Sequence, residues 1–188
     1  MGSKKTVPSD TRLCDRRFRS DDERFALEIK TKELRKMLQH CLDTDGLETG
    51  GIVVGNYSQS YEVALIWDVS GPPRDSKSGA TWFHRGVQGL QVWLHRLWTK
   101  NHYYLGEWHF HPGGRPIPSD TDLRQIKEIS DSADYRCPEP VLIIVGGSPT
   151  GSWELAVYVS PRNCSLMELR ETKGALNTQE SRQQKVGR

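Results

Sequence analysis

His109-Phe110-His111, then seven residues rich in Gly and Pro, then Ser119-Asp120-Thr121-Asp122, constrains this chain more than any other feature. Tyr103 to His111 has the character of a strand. A strand puts residues i and i+2 on one face, about 7 Å apart. His109 and His111 can therefore aim two imidazoles at one point. Gly113, Gly114, Pro116 and Pro118 turn the chain. Ser119 then opens a helix that can return the Asp122 carboxylate to that point. Two nitrogens and one oxygen make three protein ligands, and a tetrahedral catalytic zinc keeps its fourth position for water. Any fold for this chain must bring a strand end against a helix start.

Each part alone has a plainer explanation. A His-x-His on a strand is most often two half-buried or exposed histidines. Ser-x-x-Asp is first a helix cap, because serine oxygen and first-turn carboxylate satisfy orphan N–H groups. The cap and the metal site are compatible, since the helix is what holds Asp122 in place. Two His and one carboxylate also suit iron(II).

The spacing His-x-His, seven residues, Ser-x-x-Asp resembles the JAMM (JAB1/MPN/Mov34) metallopeptidase motif. Glu48-Thr49-Gly50-Gly51-Ile52-Val53-Val54-Gly55 is similar to that family's upstream glutamate and Gly-rich strand start. Gly71-Pro72-Pro73, Ser76, Phe83, Arg85 and Tyr104 to His109 look like the bacterial JAB branch of integrative elements and CBASS anti-phage operons. The resemblance spans about residues 25 to 160. Phe110 is a departure, because relatives commonly carry a small or β-branched residue between the histidines.

The resemblance implies one Zn2+ per chain held by His109, His111 and Asp122. It implies Glu48 as the base for the attacking water and then the acid for the leaving amine. Ser119 would donate its hydroxyl to the oxyanion. Glu107 shares the strand parity of the two histidines and is a rival for the base, an orienting partner for a histidine, or a salt-bridged strand residue. The implied fold is α/β: a single MPN domain, a mixed β-sheet flanked by helices, with cytidine-deaminase-like topology.

The implied reaction is deubiquitinase-like: hydrolysis after the C-terminal glycine or tail of a conjugated protein. The first expected substrate is a CBASS cGAS-like nucleotidyltransferase, released against an E1–E2-like ligase. Alternatives are maturation or deconjugation of a bacterial ubiquitin-like protein, another zinc hydrolase acting on a small amide, and a non-catalytic MPN-like scaffold. Scaffolding relatives lose a ligand or the glutamate, and here all five residues are present. Loop 71–81 and segment 112–118 are expected to hold the substrate's extended tail.

Composition narrows the setting. No apolar run approaches the ~18 residues of a membrane span, and the start lacks an apolar signal segment. Net charge is +2, with seven Lys/Arg against five Asp/Glu in residues 1–24 and four against two in 171–188. The middle is slightly acidic and no trap for nucleic acid. Cys14, Cys41, Cys137 and Cys164 form no Cys-x-x-Cys, which points to a reducing cytoplasm. Cys137-Pro138 reverses the Pro-Cys-x-x-Cys order of zinc deaminases and has no His-x-Glu beside it.

Periodicity predicts strands at 25–29, 52–57, 61–69, 103–111, 141–145 and 153–159. It predicts helices capped by Thr31, with Val87, Leu90, Trp93, Leu94, Leu97 and Trp98 on one face, and after Ser119. Residues 1–24 and 166–188 are expected to be polar, flexible ends around a domain at 25–165.

Overall fold

The computed structural model describes residues 6–7, 13–60 and 62–172. Ten strands and three helices follow one another along them. These are β1 (Arg16–Arg19), β2 (Ala26–Ile29), α1 (Thr31–Leu42), β3 (Thr49–Tyr57), β4 (Val63–Val69), β5 (Lys77–Ser78), β6 (Phe83–His84), α2 (Leu90–Trp98), β7 (Tyr103–Pro112), α3 (Asp120–Asp131), β8 (Val141–Gly147), β9 (Trp153–Val159) and β10 (Met167–Glu171).

Eight strands close on themselves in the order β1-β10-β9-β8-β7-β3-β4-β2. The sheet is mixed: β2–β4 and β7–β8 are parallel, and the other neighbours are antiparallel. The α/β class and the mixed sheet agree with the sequence, while barrel closure was not foreseen. β5 and β6 form a separate hairpin at the end of the stretch expected to be loop 71–81.

The long runs in β3 and β8 are buried throughout most of their length, as strands covered on both faces are. Trp108 and Phe110 point into the main core with Phe18, Leu27, Leu34, Val53, Ile143 and Val157. Phe110 is 2% exposed, so the bulky residue between the histidines packs in the core and leaves the histidine face free. On the other face of β8, Leu142 and Ile144 pack against Ile126 and Ile129 of α3. A parallel pair of strands needs a crossover connection, and α3 is that crossover between β7 and β8. The helix therefore begins where β7 ends.

Four expectations change. β1 and β10 lie inside the ends read as flexible, so the sheet extends beyond 25–165 on both sides. Each of these strands buries a single residue, Phe18 or Leu169, among charged neighbours, too little for a period-2 signal. The same expectation for residues 1–5, 8–12 and 173–188 falls outside the described residues. Thr31 is the first residue of α1 rather than its cap; its N–H and hydroxyl both donate to Asp15 Oδ1, at 2.8 and 2.9 Å. Val87 lies before α2 and is exposed, as are Val92 and Trp98, and only Leu90 of that helix is buried. Trp93, Leu94 and Leu97 half-cover Ile52 and Val54. In α3, Leu123 faces outward while Ile126 and Ile129 face the core. Among the described residues, no helix is long and apolar enough to cross a membrane.

Candidate metal centre

The end of β7 and the first turn of α3 meet as the motif requires. One ligand atom each from His109, His111 and Asp122 lies within 4.8 Å of the others. His109 Nδ1 is 2.5 Å from Asp122 Oδ1, and His111 Nε2 is 3.5 Å from Asp122 Oδ2. His109 and Asp122 are buried and His111 is half-buried, so the cluster opens to solvent on the His111 side.

Asp122 is held by a complete capping box. Ser119 N–H and Ser119 Oγ both donate to Asp122 Oδ2 at 2.7 Å, and Asp122 N–H donates back to Ser119 Oγ at 3.2 Å. The cap expected from sequence is the device that aims the carboxylate. Burial pushes the Asp122 carboxyl up, but hydrogen bonds from His109, His111 and Ser119 outweigh it and hold it well below the carboxylate range. The Asp122 hydrogen bond raises His111, against burial, with help from the Asp122 and Glu48 charges.

Segment 112–118 is pinned beside the cluster. Gly113 N–H donates to the Gly147 carbonyl at 2.9 Å, and Gly147 N–H to that of Gly114 at 2.8 Å. A side chain at Gly146 would meet the Gly114 carbonyl at 2.7 Å and the Pro116 nitrogen at 2.7 Å, so glycine there lets the turn settle on β8.

Glu48 stands immediately before β3. Thr49 pairs with Phe110 and Gly50 with His109, so one step further Glu48 comes opposite His111. Its N–H donates to the Gly79 carbonyl at 2.9 Å, which ties it to the β5–β6 hairpin. Burial raises its carboxyl above the ordinary value; His111 opposes the rise, Asp122 adds to it and His109 opposes it. Glu48 is half-buried and outside the three-ligand group. Gly50 is required by close approach: a Cβ there would clash with the Trp108 carbonyl and meet His109 Cδ2 at 2.8 Å and Phe83 at 3.0 Å.

Glu107 is not free to act as a base. Arg85 Nε and Nη2 donate to its Oε1 at 3.0 and 2.7 Å, Tyr104 Oη adds 3.3 Å, and Gln125 Nε2 donates to Oε2 at 2.7 Å. Sequence reasoning left Gln125 out, although it lies three residues after Asp122 on the same helix face, a spacing that would have found it. His84 and His95 are exposed. His40 stacks on Trp108 with ring centroids 6.2 Å apart, and His102 on Trp67 at 5.2 Å.

The donor set fits a metal ion. Two imidazoles and a carboxylate suit zinc, and His109 Nε2 is buried without a hydrogen-bond partner. The Nδ1 edge of His109, which faces Asp122, is the one placed to ligate an ion.

A family model described as prokaryotic homologs of the JAB domain matches residues 30–156. A protein of Enterobacter hormaechei named "CD-NTase/cGAS isopeptidase" is 44% identical over 159 residues, 85% of this chain and 88% of that protein. A Pseudomonas aeruginosa protein of the same name is 29% identical, over 68% of this chain and 81% of its own length. A Sinorhizobium fredii protein named "Probable metalloprotease y4qB" is 28% identical, over 78% and 92%. The solution structure of a Desulfitobacterium hafniense protein matches the fold with a TM-score of 0.53 at 16% identity, covering 78% of this chain and 92% of that one. The family match runs from α1 into β9 and takes in the whole metal cluster, so this chain belongs to the prokaryotic JAB-domain family and is an enzyme of the JAMM peptidase class.

Proposed function

We propose that this protein is a zinc-dependent isopeptidase that cleaves after the C-terminal residue of a conjugated cGAS-like nucleotidyltransferase, reversing E1–E2-like conjugation in the cytoplasm. The observation that carries the reading is the convergence of His109, His111 and Asp122 within 4.8 Å, with Glu48 beside them and outside the set. A catalytic site needs both an open metal and a separate proton carrier. The names of the Enterobacter and Pseudomonas relatives support the substrate class. Four free cysteines support a reducing compartment. The β7–α3–β8 unit supports the cytidine-deaminase-like topology of the same reading.

His109, His111 and Asp122 would hold the zinc, which when bound supplies a Lewis acid and lowers the pKa of water to about 7. Glu48 takes a proton from the attacking water and returns it to the leaving amine. Ser119 fixes Asp122, and rotation of its O–H away from Oδ2 offers a donor to the oxyanion. The β5–β6 hairpin carries Gly79 next to Glu48, and β5 pairs only with β6 among the described residues. An extended substrate tail therefore adds along β5 as a strand.

Metal content and cleavage are measured together on a fusion bearing a cGAS-like nucleotidyltransferase at its front. One zinc per chain with Glu48-dependent release is expected. Zinc without release from this fusion, but with release from a ubiquitin-like one, moves the substrate assignment. Absence of zinc sinks the reading and leaves a protein-binding scaffold.

A further inference from the structure

Glu107 is 1% exposed and lies one strand repeat from His109. It is encircled by donors: Arg85 on Oε1, Tyr104 on Oε1 and Gln125 on Oε2. The buried His109 Nε2, which has no partner, is 3.9 Å from the same Oε2. An ionised carboxylate offers about four lone-pair sites, and Oε2 has spent one of its two. The Arg85–Glu107 pair is nearly sealed, at 9% and 2% side-chain exposure. Such a pair is costly to desolvate and often replaceable by apolar residues without loss of stability. Stability alone does not explain why it sits against a metal ligand.

We infer that Glu107 is a positioning residue: held by Arg85 and Gln125, it accepts the outward N–H of His109 and fixes that ring's tautomer and angle for the metal. The inference rests on the metal reading above. A ligated histidine characteristically donates its second ring N–H to a carboxylate, which orients the ring and raises its basicity. The surroundings of His109 serve the same end. Phe83 meets the ring edge-on, with centroids 5.6 Å apart and planes at 89°, and the bare Gly50 leaves room for Cδ2. Arg85 and Phe83 flank His84, so the segment that steadies the ring also steadies Glu107. α3 contributes twice, sending Asp122 to the cluster and Gln125 to Glu107.

The test uses full-length protein and zinc itself. In the double variant Arg85→Met with Glu107→Leu, both charges leave together and no buried ion is orphaned. It is expected to keep its melting temperature within a few degrees, yet bind zinc 10–100-fold more weakly by chelator competition. Its cobalt(II)-loaded form is expected to show an altered visible spectrum, which a purely structural pair would not produce. Unchanged zinc affinity and an unchanged cobalt spectrum overturn the inference while leaving the metal site intact. Should that variant not fold, wild-type protein labelled with 15N-histidine decides. A slowly exchanging, downfield N–H on the His109 nitrogen facing Glu107 supports the role, and a rapidly exchanging one overturns it. Wild-type protein that binds no zinc would overturn the metal reading, and this inference with it.

Discussion

At the scale of single residues, Glu48 and Asp122 are two carboxylates that feel the same histidines in opposite environments. Asp122 is drawn down by two imidazoles and Ser119, while Glu48 is pushed up by burial. Under the proposed reading the first serves as ligand and the second as proton carrier. Glu48→Gln keeps the shape and the zinc but removes the proton acceptor, so stoichiometric zinc by elemental analysis should accompany a fall in kcat of about 10²–10⁴. Asp122→Ala should lose both, since it deletes a ligand and half of the α3 capping box. Near-normal turnover in Glu48→Gln would remove Glu48 from the chemistry. The convergence of His109, His111 and Asp122 with Ser119 was legible because strand parity and a cap are local rules. Gln125 follows Asp122 at a helical spacing and was legible in principle, whereas Arg85 and the ring of Phe83 reach Glu107 and His109 through tertiary contacts that no spacing encodes.

At the scale of elements, the sequence marks where α3 starts and mistakes where α1 is capped. Ser119 caps through its own side chain three residues ahead, a pattern visible in one dimension. The first N–H of α1 is instead satisfied by Asp15, sixteen residues earlier, which the antiparallel pairing of β1 with β2 brings near. Burial pushes the Asp15 carboxyl up, but the N–H and hydroxyl of Thr31 and the nearby Lys30 more than offset this and hold it below its ordinary value. A carboxyl depressed in the folded state stabilises above its unfolded pKa, and that contribution is lost as the pH falls. Asp15→Ala should cost about 1 kcal/mol at neutral pH, read as a lower denaturant midpoint. The gap between variant and wild type should close as the pH drops below about 4. A constant gap down to pH 2 would mean that the charge of Asp15 plays no part in the cap. The apolar stripe of α2 was legible as a helix but misleading as to depth, because Val87 and Trp98 are exposed.

At the scale of the whole molecule, closure of the sheet links the two chain ends to the metal strand. β10 pairs with β9 and with β1, β9 with β8, and β8 lies parallel to β7 with Ile144 opposite His109 and Gly146 opposite His111. Polar ends that carried no periodic signal thus complete the barrel that holds the ligands. A chain ending at Ser165 would lose β10, the buried Leu169 and the ion pair of Arg16 with Glu171 at 3.5 Å. It would also leave β1 and β9 with open edges, which invite pairing with another chain. Vacating a buried leucine alone costs ~2–5 kcal/mol, so at roughly 2–4 °C per kcal/mol for a chain of this size the melting temperature should fall by several degrees. The comparison is made without zinc, because a ligand of the folded state adds the same mass-action term to both chains and only masks their absolute stabilities. A chain ending at Thr172 keeps β10 and is the control, expected to melt close to the full-length protein. Equal melting of the two truncations, measured without zinc, would show that the barrel holds its metal strand without its last stave.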